Sequence, residues 1–154
     1  MNPEFIKRSI ELATKSVAES GGPFGAVIVK DGKVLAEASN TVTRDLDPSA
    51  HAEVNAIRKA CKTLKTHNLS GAEIYCSCEP CPMCLAAIYW ARIGKIHFAA
   101  SRFDAKEAGF DDETLYSELE KPINCRNVPT EHFELPESAA PFDAWKNKKD
   151  KVEY

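Results

Sequence analysis

The sequence lacks any apolar run long enough to cross a membrane, and its amino end lacks the apolar segment of a signal peptide. It also lacks an excess of basic residues: 20 Lys and Arg stand against 23 Asp and Glu, for a net charge of -3. A protein that mainly holds a nucleic-acid backbone needs a basic face. We therefore expect a cytoplasmic protein with a small-molecule ligand, and we expect neither membrane nor nucleic acid as its main partner.

Internal repeats and low-complexity segments are absent as well. A chain of 154 residues with 44% hydrophobic and 28% charged residues has the size and composition of one globular domain. The only basic run, at 146–151, fits a solvated helix face better than a nucleic-acid contact. The sequence thus predicts a single domain over residues 1–154.

Cysteine spacing argues against a disulfide framework, because four of the six cysteines fall between Cys76 and Cys84. Such density is typical of metal ligation, and it implies reduced thiols. Cys61 and Cys125 are expected to be packing or surface residues. The same expectation applies to three of the four histidines, His67, His97 and His132.

Helical and strand patterns run through the first hundred residues, and helices and strands alternate from residue 51 to residue 100. They predict a helix from Pro3 to about Ser20, a hairpin of strands at 26–29 and 33–37, a helix capped by Asp47 with Pro48 in its first turn, a strand at 73–76, a helix ending near Arg92 and a strand at 96–100. The alternation implies crossover connections and some parallel pairing, and the apolar run at 26–29 indicates a strand covered on both faces. Later residues predict one helix between 104 and 119 and a last helix at 142–149. The fold class is therefore α/β.

Two motifs carry the chemistry. His51-Ala52-Glu53 is followed thirty residues later by Pro80-Cys81-Pro82-Met83-Cys84. One imidazole and two thiols suit Zn²⁺ and leave one tetrahedral position open, which is typical of catalytic rather than structural zinc. We predict one Zn²⁺ on His51, Cys81 and Cys84, with Glu53 moving protons for a metal-activated water.

Other interpretations of these cysteines stay open. Cys78 offers a fourth sulfur that would close the metal site, and Cys81 with Cys84 alone fits a redox pair or half of a zinc finger. The adjacent Glu53 favours catalysis, since a purely structural site has no use for a proton-transfer acid. The roles of Cys76 and Cys78 are not decided by the sequence.

These motifs resemble the cytidine deaminase superfamily and, within it, the bacterial guanine deaminases. The resemblance rests on residues 21–27, 51–54, 77–84 and 108–112 and on Tyr154, and it covers nearly the whole chain. It implies a three-layer α-β-α fold with a mixed sheet of about five strands and helices on both faces. It also implies one zinc per subunit and hydrolysis of guanine to xanthine and ammonia, in purine metabolism. A homodimer is implied too, with the segment from about 120 to 154 exchanged so that Tyr154 reaches the partner's ligand.

Guanine offers a ring N–H and an amino group side by side, and one carboxylate accepts from both. The resemblance assigns this contact to Asp112, with Asp111 as the alternative, and it assigns another purine contact to Asn40. Asp112 also fits a helix cap. Phe24 and Trp90 are predicted walls of a flat pocket, because heteroaromatic rings gain from stacking, although Trp90 equally fits the core.

Rival functions share the same motifs. A deaminase of guanosine, cytosine or another small heterocycle uses identical chemistry, as does a tRNA adenosine deaminase. The negative net charge of the chain and the presence of Asp112 argue against a tRNA substrate. A zinc-stabilised interaction module is the alternative outside enzymes, and Glu53 argues against it. Free base versus nucleoside stays open, because the room around the sugar-bearing nitrogen cannot be derived from sequence.

Overall fold

A four-stranded mixed sheet lies at the centre of the computed structural model, which describes residues 2–110 and 112–154. Its strands are β1 (Gly25–Lys30), β2 (Lys33–Ser39), β3 (Ala72–Cys78) and β4 (Lys95–Ala100), in the order β2-β1-β3-β4. β1 is antiparallel to β2 and β3, whereas β3 and β4 are parallel. The predicted hairpin and the mixed α/β sheet are confirmed.

The described residues contain four strands, not the expected number of about five. Directly after β4 the chain turns into a helix, because Ser101 and Asp104 form a reciprocal capping box. Prolines then recur through the rest of the sequence, and each removes an N–H that a sheet ladder needs.

Helices cover both faces of the sheet. α1 (Pro3–Ala18) covers one face, and α3 (Ala52–Leu64) and α4 (Pro82–Trp90) cover the other; α2 (Val42–Asp45) and α5 (Arg102–Glu107) are short helices that follow β2 and β4. Side chains of β1 alternate between the faces: Val27 and Val29 pack with α1, whereas Ala26 and Ile28 lie in the core that includes α3 and α4. The three-layer α-β-α arrangement is therefore confirmed.

Gly25 permits a close approach of α1 to the sheet. A β-carbon there would lie 2.2 Å from the backbone oxygen of Ser9 and 2.8 Å from the backbone nitrogen of Ala13, both in α1. Only glycine avoids that overlap without a shift of the helix.

Helix α3 begins later than the sequence predicts. Asp47 is not its cap: the Asp47 carboxylate accepts from the backbone N–H of Ser49 at 2.8 Å and from its hydroxyl at 2.7 Å, which closes a local turn. His51 is extended, with φ -68° and ψ 156°, and it is the N-cap of α3. The helix start predicted from Asp47 and Pro48 was therefore wrong by four residues. The short helix α2 was not predicted.

The chain divides into two units, Met1–Asp112 and Glu113–Tyr154. The second contains α6 (Glu113–Glu120), α7 (Ala140–Asn147) and two 3₁₀ turns, Ile123–Cys125 and Pro136–Ala139. Where one helix was predicted between 104 and 119, the structure has two, α5 and α6. Gly109 lies between them with a φ of 90°, a left-handed conformation that helps to end α5. The last helix lies two residues earlier than predicted.

Every residue of the second unit is at least partly exposed, including several large apolar side chains: Val128, Phe133, Leu135, Phe142, Val152 and Tyr154. Among the described residues, no helix is both long enough and apolar enough to span a bilayer.

Candidate active site

The three predicted metal ligands meet at one point. Nδ1 of His51 lies 3.6 Å from Sγ of Cys81 and 3.5 Å from Sγ of Cys84. Zinc–nitrogen bonds of about 2.0 Å and zinc–sulfur bonds of about 2.3 Å at a tetrahedral angle require a nitrogen–sulfur separation of roughly 3.6 Å. The donor set and its spacing therefore fit Zn²⁺.

Two helix N-termini position these ligands. His51 is the N-cap of α3 and Cys81 is the N-cap of α4, and neither side chain forms the usual capping hydrogen bond. Pro82 occupies the first turn of α4, where its missing N–H removes no helical hydrogen bond. Cys81 and Cys84 thus lie at the positive end of α4, which favours their thiolates.

The two thiols differ in their protonation. The pKa of Cys81 is lowered to about 4, mainly by the hydrogen bond from Cys84 and then by that from His51. The hydrogen bond to Cys81 and burial raise the pKa of Cys84. The hydrogen bond between His51 and Cys81 also raises the pKa of the His51 imidazole. In this pair Cys81 therefore carries the thiolate, while Cys84 keeps its proton.

Glu53 lies in the first turn of α3, beside this group. Its carboxylate accepts from the Cys84 thiol at 3.4 Å, and the side chain is only 6% exposed. Burial raises the pKa of Glu53 above its usual value. A buried carboxyl at this distance from the ligands is placed to exchange protons with a reacting molecule at the metal.

A cavity of about 730 Å³ opens next to the metal group. Of the predicted purine contacts, Asn40, Phe24 and Asp112 line it, together with His51 and Glu53. The Asn40 side-chain oxygen accepts from the N–H of Val42 at 3.2 Å, so its NH₂ group is the part available to a ligand. Burial, followed by the charge of Cys81, raises the pKa of Asp112.

The structure adds lining residues to which the sequence assigned no role. Phe110 packs edge-to-face against Phe24 with ring centroids 5.0 Å apart, so the two rings form one aromatic wall. Glu79 also lines the cavity and accepts from the backbone N–H of Arg102 at 3.1 Å. The only sequence signal for Phe110 was its place two residues before Asp112.

Other predicted residues lie elsewhere. Trp90 ends α4, is 61% exposed and is not among the residues that line this cavity. Tyr154 belongs to the second unit, where its ring packs against Trp145 at a centroid distance of 6.3 Å. Asp111, the alternative to Asp112, lies outside the described residues.

Cys78 does not join the metal group. Its thiol donates to the backbone oxygen of Ser101 at 3.4 Å, and burial raises its pKa to about 11. Among the described residues, the group that could hold a metal ion therefore consists of His51, Cys81 and Cys84, without Cys78. Cys76 is fully buried in the core.

Comparison with known proteins gives concordant results. Residues 2–100 match the family described as the cytidine and deoxycytidylate deaminase zinc-binding region. Guanine deaminase of Bacillus subtilis (strain 168) is 54% identical over 156 residues, which cover 100% of both chains. A tRNA-specific adenosine deaminase of Aquifex aeolicus (strain VF5) is 36% identical over 135 residues, covering 88% of this chain and 87% of the relative.

Solved structures agree with these relatives. The crystal structure of guanine deaminase from Bacillus subtilis matches with a TM-score of 0.98 and 53% identity, covering 100% of this chain and 99% of that chain. A structure of guanine deaminase from Nitrosomonas europaea matches with a TM-score of 0.68 and 32% identity, covering 70% of this chain and 63% of that chain.

Proposed function

The chain belongs to the cytidine and deoxycytidylate deaminase family, and from this premise we propose that it is a guanine deaminase. It hydrolyses guanine to xanthine and ammonia. The observation that carries this conclusion is the identity of more than half of all positions with a guanine deaminase over the full length of both chains. The tRNA-specific adenosine deaminase match is weaker and covers less of the chain.

The enzyme is zinc-dependent, and His51, Cys81 and Cys84 are the residues that would hold the ion. Bound there, zinc supplies Lewis-acid activation of the water that attacks the purine ring. No organic cofactor is required for this hydrolysis.

We assign the proton transfers to Glu53. Its carboxylate takes one proton from the attacking water and delivers it to the ring nitrogen beside the attacked carbon. It then takes the second proton from the hydroxyl now on that carbon and gives it to the departing amine, which leaves as ammonia while the carbonyl of xanthine forms. The support is positional, because Glu53 is buried, lines the cavity and lies 3.4 Å from one of the sulfurs. One carboxylate serves both transfers, so no second acid is needed at the reacting carbon.

Purine recognition is assigned to the cavity wall. Asp112 accepts from the ring N–H and the amino group of guanine, which adenine does not offer as a pair. Asn40 donates its free NH₂ group to an acceptor atom of the ring. Phe24, held by Phe110, contacts the ring plane. Tyr154 is assigned to closure of the site within an assembly rather than to this wall, and Trp90, which does not line the cavity, is assigned no purine contact.

That assembly is a homodimer with exchanged C-terminal segments. Two observations support this proposal. The segment 113–154 exposes large apolar side chains and has no buried residue, and α4 also exposes apolar side chains. In this proposal Tyr154 of each subunit reaches the site of the other, and residues 1–154 act as one catalytic domain. A cytoplasmic location remains our prediction, and a reducing compartment suits the two zinc thiolates.

The test is ammonia release by the purified, zinc-loaded protein from guanine, guanosine, cytosine, adenine and a tRNA anticodon stem-loop. We expect turnover of guanine above all other substrates. Turnover of the stem-loop alone would replace the proposal with a tRNA adenosine deaminase. No ammonia release from any of these substrates, with one zinc bound per chain, would favour a zinc-stabilised interaction module.

A further inference from the structure

The amide side chain of Asn55 in α3 makes three contacts that the chemistry above does not use. Its nitrogen lies 3.1 Å from the backbone oxygen of Ser39, 3.0 Å from the hydroxyl oxygen of Thr41 and 3.2 Å from the backbone oxygen of Ala50, so its two N–H groups donate to three acceptors and one N–H is shared. Two of these acceptors are carbonyl oxygens, which cannot donate. The side-chain NH₂ rather than the side-chain oxygen therefore lies here.

The sequence positions of the acceptors give the contacts their significance. Ser39 and Thr41 flank Asn40, and Ala50 precedes His51. One side chain therefore holds both neighbours of the residue assigned to purine binding and the neighbour of a zinc ligand. The N–H of Thr41 also donates to the Ala50 oxygen at 2.9 Å, so the two ends of the loop meet at the Asn55 amide.

This loop needs such a link because it has little regular structure of its own. Between the end of β2 and the start of α3 only the four residues Val42–Asp45 are helical. Connecting segments without regular hydrogen bonding open at low free-energy cost unless tertiary contacts fix them. Asn55 lies on α3, two residues after Glu53, so it ties the loop to the same rigid helix that bears the proposed catalytic acid.

We propose that Asn55 is a positioning residue that fixes Asn40 relative to His51 and thereby sets how the purine ring faces the zinc site. It touches neither the substrate nor the metal. The inference rests on the proposed guanine deaminase function. Because reactivity depends steeply on the placement of reacting groups, loss of this link should affect purine binding and turnover more than folding or zinc content.

Asn55→Asp is the most direct test, since it keeps the shape but directs a carboxylate at three oxygens. We expect kcat/KM for guanine to fall by about 10- to 100-fold, with a rise in KM, and we expect the dissociation constant of the product xanthine to rise by roughly tenfold. Zinc content at saturating zinc should stay at one per chain by elemental analysis. Near-ultraviolet circular dichroism should confirm that the variant is folded.

Asn68→Asp is the matched control. The Asn68 side chain accepts through its oxygen from the N–H and hydroxyl of Ser70, a role that aspartate keeps, so this variant should behave as wild type. If Asn55→Asp fails to fold, Thr41→Val removes one acceptor with little change in shape, and Thr41→Ser restores it. We expect KM for guanine to rise by about threefold in Thr41→Val and to recover in Thr41→Ser.

The outcomes separate this inference from the function itself. If wild-type protein releases no ammonia from guanine, the proposed function fails and the inference fails with it. If wild-type protein is active but folded Asn55→Asp, or Thr41→Val in its place, keeps wild-type KM and wild-type xanthine affinity, only the positioning role is overturned. A lower melting temperature with unchanged KM would likewise reduce Asn55 to a structural residue.

Discussion

At the scale of single residues, the chemistry depends on a carboxyl that is removed from water. Glu53 is almost fully buried, lies beside the zinc ligands and lines the substrate cavity. Burial weakens competition from solvent for its proton, so the transfers that we propose for Glu53 would take place between groups that the fold has already aligned.

The Glu53→Gln variant tests this assignment. Glutamine keeps the shape and the zinc ligands are untouched, so we expect one zinc per chain but a kcat on guanine lower by about 10²- to 10⁴-fold. Steady-state ammonia release and elemental analysis are the measurements. Glu4→Gln, an exposed carboxyl in α1, is the control. Near-normal turnover in Glu53→Gln would remove this residue from the mechanism.

A second prediction for a single residue concerns the recognition of guanine by Asp112. Asparagine cannot accept from both guanine donors as a carboxylate does, so Asp112→Asn should raise KM for guanine by about 10- to 100-fold. An unchanged specificity constant would refute the recognition role.

Asp112 also predicts a pH dependence. Burial and the charge of Cys81 raise its pKa, so the carboxylate is lost at a higher pH than for an ordinary aspartate. In wild-type protein KM for guanine should be constant above that pKa and rise as the pH falls through it. The Asp112→Asn variant should lack this step, and KM measured across acidic pH compares the two.

At the scale of elements, the packing of α1 on the sheet depends on the absence of a side chain at Gly25. A β-carbon there would overlap the backbone of α1, which cannot move without breaking the packing of Phe5, Ile6 and Leu12. The constraint acts on backbone atoms, so no change of rotamer relieves it.

Gly25→Ala should therefore lower the free energy of unfolding by about 1–3 kcal/mol. Gly94→Ala is the matched control: its new β-carbon would meet the nearest atom at 3.7 Å, an ordinary contact, and we expect a change within about 0.5 kcal/mol. Urea unfolding followed by circular dichroism measures both. Equal stability of the two variants would contradict the close approach of α1.

At the scale of the whole molecule, the resemblance to guanine deaminases predicts that the C-terminal segment is exchanged between two subunits, and the exposed apolar residues of the second unit offer a surface for such a contact. Mixing Glu53→Ala subunits with Tyr154→Ala subunits distinguishes exchange from simple pairing. If the tails exchange, a mixed dimer contains one site with both residues intact, and random mixing should restore about one quarter of wild-type activity. Light scattering checks that dimers form. Mixed dimers as inactive as their parents would show that each tail serves its own subunit.

Residue types and their spacing were sufficient to predict the metal site. Ligand chemistry is a property of residue types, and Cys81 and Cys84, three apart at a helix start, need no distant contact to face the same ion. Periodicity likewise predicted most helices and strands, because burial of one face follows from local spacing. The resemblance added Asn40 and Asp112, which periodicity alone does not single out.

Where loops end and which residues they contact depends on interactions that form only in the folded chain. The start of α3 moved to Ala52 because Asp47 closes a turn with Ser49 instead of capping the helix. Phe110 meets Phe24 across 86 positions of sequence, and Asn55 gathers oxygens from two separate stretches. Such contacts depend on how the chain closes in space, whereas periodicity and spacing report mainly interactions between near neighbours, so the paired cysteines were predictable while the contacts of Phe110 and Asn55 were not.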